Sequence, residues 1–169
     1  MLKHTKGNLI DLAEKGEFDI IVHGCNCQNT MGSGIAKEIR ERYPQAYEVD
    51  TKFSQMHTPE EKLGKFSVAL RTHDIFNDNP LHQFVIVNAY TQLNFMPRGV
   101  DHFDYDAFKN ILDQLDWLFS PREKPTRYGF PRIGQGLAGG NPERIIAMLE
   151  EFAEKVSAQG GTVTLVEFE

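Results

Sequence analysis

The chain is short of cysteine, carries no excess of basic residues and has no long apolar run. Each shortage excludes a class of protein. Its two cysteines, Cys25 and Cys27, lie two positions apart, which rules out an ordinary disulfide framework. Lys and Arg number 18 against 24 Asp and Glu, and the cations are scattered rather than gathered into a stripe, so no nucleic-acid footprint is expected. No apolar run approaches the roughly 18 residues of a membrane span, and the N-terminus lacks the pattern of a secretory signal. The expectation is a cytoplasmic protein with reduced thiols and no membrane partner. There is no internal repeat, linker or low-complexity segment, and 169 residues suit one domain, 1–169, with a sizeable core. A chain of net charge −6 that binds an anion has to do so locally, through backbone N–H groups and helix ends.

What the chain does have is the stretch Asp19 to Ile39, D-I-I-V-H-G-C-N-C-Q-N-T-M-G-S-G-I-A-K-E-I. Ile20, Ile21 and Val22 form a short unbroken apolar run, as in a parallel strand covered on both faces. A polar loop with glycines follows, from Gly24 to Gly34. Ile35, Ala36 and Ile39 then recur at helical spacing, with Lys37, Glu38, Arg40 and Glu41 on the opposite side. Strand, glycine loop and helix start together aim several N–H groups at one point, a setting suited to a phosphate. Gly32-Ser33-Gly34 alone is a weak signal, since strand–loop–helix units occur throughout α/β proteins.

Taken in order, Met1 to Thr5 reads as an edge strand and Asn8 as the N-cap of a helical turn ending near Gly16. Phe18 to His23 reads as the central strand, followed by a helix that stops at Tyr43, before Pro44. Tyr47, Val49 and Phe53 suit a helix, and Thr58-Pro59-Glu60-Glu61 a second helix start. Strands are expected at Phe66 to Leu70 and Phe84 to Ala89, with a turn at His73 to Pro80 and a loop from Tyr90 to His102. Asp104 to Phe119 reads as a helix burying Phe108, Ile111, Leu112, Leu115 and Leu118. Arg127 to Phe130 reads as a strand. Asn141 caps a helix with Ile145, Ile146, Leu149, Phe152 and Val156 on one face, and Thr162 to Phe168 closes as a strand. The alternation predicts an α/β fold of three layers, a mixed, mostly parallel sheet between helices, with ligands beyond the carboxyl ends of the strands.

A second glycine loop, F-P-R-I-G-Q-G-L-A-G-G-N-P, also runs from a strand to a capped helix. Four glycines exceed what a spacer needs, and two such loops on neighbouring strand ends would hold a diphosphate from both sides.

These motifs carry a resemblance. G-N-L, then D-I-I-V-H-G-C-N-C with M-G-S-G-I-A, and finally P-R-I-G-Q-G-L resemble those of the macro domain, the ADP-ribose-binding α/β/α fold, in the same order and over nearly the whole chain. His23 to Cys27, the Gly-Ser-Gly-Ile-Ala segment and Arg42-Tyr43-Pro44 are most similar to the fungal ADP-ribose 1″-phosphate phosphatase branch. The ADP-ribosyl-glutamate hydrolases are a second neighbour. The resemblance implies that Asn8 and Leu9 meet the adenine, with Asn8 where most members carry Asp. It also implies that Asn26 bonds the distal ribose, and that Tyr90 lines the adenine side. Gly32, Ser33, Gly34 and Ile35 would form one diphosphate loop, and Ile133, Gly134, Gln135, Gly136 and Leu137 the other.

The implied ligand is ADP-ribose or ADP-ribose 1″-phosphate, with an ADP-ribosylated protein as a further partner and no cofactor. The implied reaction is hydrolysis of the 1″-phosphate. His23, at a strand end, is the candidate acid or base and Asn26 an orienting group; the structural alternative for His23 is a satisfied core histidine. A non-catalytic reader of ADP-ribose and a de-ADP-ribosylating hydrolase are the other readings. The lysyl mechanism of the glutamate hydrolases needs an Asp where this chain has Ala138 and a Lys where it has Thr91-Gln92. Asn141 is no substitute, because an amide does not titrate. A zinc site at His23, Cys25 and Cys27 lacks a fourth ligand, and the pair reads as small apolar residues. Asp101, His102, Asp104 and Asp106 read as a solvated loop and the charged start of the next helix.

Overall fold

A computed structural model describes residues 1–70, 83–119 and 124–168. Six strands form one sheet: β1 (Leu2–Lys6), β2 (Ile20–Asn26), β3 (Phe66–Leu70), β4 (Val85–Gln92), β5 (Arg127–Phe130) and β6 (Thr162–Glu167). Their order is β1-β6-β5-β2-β4-β3, and every pairing is parallel except that of the edge strand β3 with β4. The helices are α1 (Leu9–Glu14), α2 (Gly34–Arg42), α3 (Pro44–Met56), α4 (Pro59–Lys62), α5 (Tyr105–Phe119) and α6 (Pro142–Ala158). This is the mixed, mostly parallel α/β architecture that the alternation of apolar runs predicts.

The central strands are covered on both faces, which is why they read as apolar runs. Ile20 and Val22 of β2 and Val85, Val87 and Ala89 of β4 point to α5 and α6. Ile21 and Cys25 of β2 and Ile86 and Tyr90 of β4 point to α1, α2 and α3. Local capping fixes the helix starts. The Asn8 side chain accepts from the amides of Ile10 and Asp11, Asn141 from that of Arg144, and Thr58 and Glu61 form a reciprocal capping box.

Three readings change. β2 continues three residues past His23, because parallel pairing with β4 persists to Asn26. For the same reason Tyr90, Thr91 and Gln92 belong to β4 rather than to a loop. Leu118, placed in the core by its spacing, is exposed beside Trp117 near the end of α5. The turn expected at 73–80 lies outside the described residues.

Candidate functional site

The two glycine loops meet. A cleft of ≈ 340 Å³ at the carboxyl ends of β2, β4 and β5 is lined on one wall by Gly32, Ser33, Gly34 and Ile35 and on the other by Ile133, Gly134, Gln135 and Gly136. Gly24, Asn26 and Gln92 from the ends of β2 and β4, with Phe95 and Arg98 from the segment after β4, complete its lining. No Asp, Glu, His or Lys lies among the described residues lining it.

Each wall offers main-chain N–H groups. Ser33 starts α2 without a side-chain cap, so the first-turn amides from Gly34 onward have no intrahelical acceptor and sit at the positive end of the helix. Gly34 itself has φ +57°, and a side chain there would point into open space, which is the cleft. In the facing loop, the amide of Ile133 bonds Pro131 and that of Gln135 bonds Arg132, a tight turn that alternates used and unused donors. Gly134 is required for packing: its φ is +74°, and a Cβ would stand 2.3 Å from the ring of Phe103. This loop is therefore a clamped shelf rather than a flexible spacer. Asn26 holds the first loop in shape, donating to Thr30 Oγ1 at 2.7 Å and accepting from the Gln28 amide at 2.8 Å.

His23 lies elsewhere, and its expected catalytic role has to be corrected. It shares the sheet face of Ile21 and Cys25, is fully buried and lines no part of the cleft. It belongs to a directed polar network beneath α3 and α4. Asn88 donates through Nδ2 to Ala46 O and Ser67 Oγ, so its Oδ1 must accept from His23 Nε2 at 2.6 Å, which fixes the imidazole tautomer. Tyr90 donates to Asp50 Oδ1 at 2.8 Å, leaving Ser67 to donate to the Tyr90 oxygen. Lys62 completes the chain with bonds to Asp50 (3.0 Å) and Ser54 (2.6 Å). Burial, the largest influence, pushes the His23 pKa down to about 4, against the opposing pull of Asn88 and Asp50. The ring touches the cleft lining only through Cys25, whose Sγ stands 3.7 and 3.8 Å from its two nitrogens, and a neutral imidazole behind a protonated thiol is poorly placed to exchange protons with a ligand. Tyr90 is equally buried in this network, so it does not line a ligand site. Burial also pushes the Cys25 thiol well up, and that of Cys27 to about 12, so neither is a thiolate nucleophile.

A second pocket of ≈ 540 Å³ continues the cleft, sharing Gly34, Ile35, Pro131 and Arg132 with it. Leu9, Ile35, Val166 and the exposed ring of Phe168 make it largely apolar, while Asn8, Glu38 and Glu167 supply its polar rim. Cleft and pocket form one trough, narrow and amide-lined in the middle and apolar at one end, with Arg98 at the other.

Comparison with known proteins agrees with this geometry. No family model matches the sequence. A 17.5 kDa protein from the tk-vs intergenic region of Enterobacteria phage T4 is 33% identical over 160 residues, covering 92% of each chain. An ADP-ribose 1″-phosphate phosphatase of Debaryomyces hansenii is 31% identical over 153 residues, covering 81% of this chain and 86% of its own. The macrodomain of Mycobacterium tuberculosis DarG superposes with a TM-score of 0.70 at 20% identity, over 99% of this chain and 97% of that one. The chain belongs to the macro domain family. In this macro domain, Asn8 and Leu9 line the apolar pocket, Asn26 and both glycine loops line the cleft, and Gly34 and Ile35 line both. Leu137 sits within the 3₁₀ turn Gly136–Ala138 of the second loop. Glu38, Phe95, Arg98, Arg132 and Phe168 escaped the sequence reading. Phe168, an aromatic directly after an apolar strand, was the one with a visible signal.

Proposed function

We propose that this macro domain binds ADP-ribose along the trough and hydrolyses the phosphomonoester of ADP-ribose 1″-phosphate. The observation that carries the reading is the pair of amide-bearing loops facing each other across one cleft, a spacing suited to a pyrophosphate. Adenine occupies the apolar pocket between Leu9, Ile35 and Phe168, whose open ring offers a stacking face. The distal ribose then lies over Gly24, Asn26 and Gln92, with its 1″-phosphate towards Arg98. The name of the Debaryomyces relative supports that substrate. Phosphoryl transfer to water passes through a loose transition state that asks more for positioning and positive charge than for a strong base. Arg98 and the amides supply the charge and Asn26 orients the ribose; water attacks phosphorus as the bond to O1″ breaks, and the proton of the attacking water passes by way of the phosphoryl oxygens to the departing ribose oxygen.

A second reading, a non-catalytic reader of ADP-ribose or of an ADP-ribosylated protein, is favoured by one feature: among the described residues lining the cleft, where the distal ribose would lie, there is no carboxylate, lysine or imidazole to move a proton. Calorimetry with ADP-ribose and a phosphate-release assay with ADP-ribose 1″-phosphate separate the two. Binding with release is the expected result. Binding without release leaves the reader, and no binding at all refutes both.

A further inference from the structure

The apolar pocket contains a carboxylate held in a fixed position. Glu38 projects from α2 into the pocket rim. Its Oε1 accepts from Asn8 Nδ2 at 3.0 Å and from Arg42 Nη1 at 3.2 Å. Arg42 is itself immobilised by Asp11 (2.9 Å) and Glu14 (2.8 Å). The carboxylate is thus anchored through one oxygen, and Oε2 has no partner among the described residues.

Asn8 cannot serve as the acceptor in this pocket. Its Oδ1 takes the amides of Ile10 and Asp11, both at 3.0 Å, which uses both lone pairs. Its Nδ2 gives one hydrogen to Glu38 and keeps one. Glu38 and Asn8 therefore present an acceptor beside a donor at the rim of an apolar slot. A 6-aminopurine offers the complement, an exocyclic N–H donor next to a ring-nitrogen acceptor. A 6-oxopurine reverses both positions and sets a carbonyl oxygen against the carboxylate.

From this we infer that Glu38 is the residue that selects adenine over 6-oxopurines in the pocket, with Asn8 as its positioning partner. The inference rests on the reading of the trough as an ADP-ribose site and adds its base specificity. Glu167, the other carboxylate of the pocket, is paired with Arg132 at 3.3 Å and serves as the internal control. The assignment makes Glu38 the source of about tenfold to a hundredfold discrimination, the range set by a well-placed two-point base contact.

The test is calorimetry of the wild type, Glu38→Gln and Glu167→Gln with ADP-ribose and with its 6-oxo analogue, in which hypoxanthine replaces adenine. The wild type and Glu167→Gln are expected to prefer ADP-ribose by about tenfold or more. Glu38→Gln keeps an oxygen for Asn8 and Arg42 and can turn its amide N–H to a 6-oxo group, so its preference falls to within about threefold. If Glu38→Gln weakens both ligands equally and keeps the wild-type ratio, Glu38 only braces Arg42 and the inference fails. If Glu167→Gln is the variant that loses selectivity, the residue assignment is overturned. If the wild type binds both ligands equally, the selectivity is absent and the inference falls while the binding site stands. If it binds neither, the ADP-ribose reading fails first and takes the inference with it.

Discussion

His23 provides a quantitative test of the buried network, because a neutral imidazole held in the core makes stability depend on pH in a calculable way. The unfolded chain takes up a proton near pH 6.5, whereas the folded protein resists until about pH 4. Between those values the unfolded state binds more protons, so stability rises with pH and is lost as pH falls from 6.5 towards 4. The full gap corresponds to about 3 kcal/mol, of which about 1.4 kcal/mol is lost at pH 5.5 and about 2.5 kcal/mol at pH 4.5. Replacement by Gln removes the titration while leaving an N–H able to reach Asn88 Oδ1. Urea unfolding of wild type and His23→Gln at pH 7.5, 5.5 and 4.5 isolates the effect, since every other carboxylate and histidine titrates in both proteins and cancels in the difference. The wild type should lose about 2.5 kcal/mol more than the variant over that range. A difference that stays constant within about 0.5 kcal/mol would mean that His23 titrates normally, and the network as drawn would be wrong. The same variant should keep its phosphate-release rate at pH 7.5, because the imidazole lines no part of the cleft and meets it only through the protonated Cys25 thiol.

Other perturbations address other parts of the molecule. Gly134→Ala drives a methyl into the Phe103 ring at a positive φ and should cost about 2–4 kcal/mol, with ADP-ribose binding lost at temperatures where the fold survives. Lys62→Met strands the buried Asp50 carboxylate and should destabilise by about 3–5 kcal/mol, read as a lower urea midpoint; Asp50→Asn in the same background should recover part of the loss. Arg98→Ala should slow phosphate release by about a hundredfold while ADP-ribose affinity changes little, and equal loss of both would move Arg98 from transition-state to ground-state binding. Asn8→Asp keeps the helix cap but sets a second carboxylate about 3 Å from Glu38, costing about 1 kcal/mol at low salt and less in 1 M NaCl.

The features legible in the sequence were those encoded within a few residues of one another. Asn8, Asn141 and Thr58 announce helix starts because a cap needs only a side-chain oxygen two or three positions before an amide. The glycine loops are equally local. That the two walls face each other followed from parallel strand topology, since both loops leave carboxyl ends of neighbouring strands. The role given to His23 failed for a different reason. Alternation along β2 places it on one of two faces, and which face is covered by α3 depends on Ala46, Asp50 and Asn88, residues 23 to 65 positions away. Lys62 is fully buried beside Asp50, a pairing across 12 positions that no local pattern signals. Glu38 looks like one of several solvated charges on α2 until Asn8 and Arg42 are seen to hold it.

The division of labour along β2 explains why a cleft built for an anion carries so few titratable groups. Ile21, His23 and Cys25 alternate into the face covered by α1, α2 and α3, while Val22 turns to the α5 and α6 side, so up to Cys25 the strand delivers no charged side chain to its carboxyl end. The register with β4 then slips: Cys25 pairs with Tyr90 but Asn26 pairs with Gln92, so Thr91 is passed over. An irregularity of this kind re-aims the side chains beyond it, and it is past this point that Asn26 and Gln92 turn to the cleft. Both are amides, which orient but do not titrate. What remains for binding negative charge is the main chain itself, aided by Arg98 and Arg132, and this is how a protein of net charge −6 can hold a diphosphate without a basic surface. Affinity in such a site rests on backbone geometry. Substitutions that alter φ at Gly34 or Gly134 should therefore weaken ADP-ribose binding more than removal of the Asn26 or Gln92 side chain. Calorimetry showing the reverse order would place the binding energy in the side chains and refute the main-chain account.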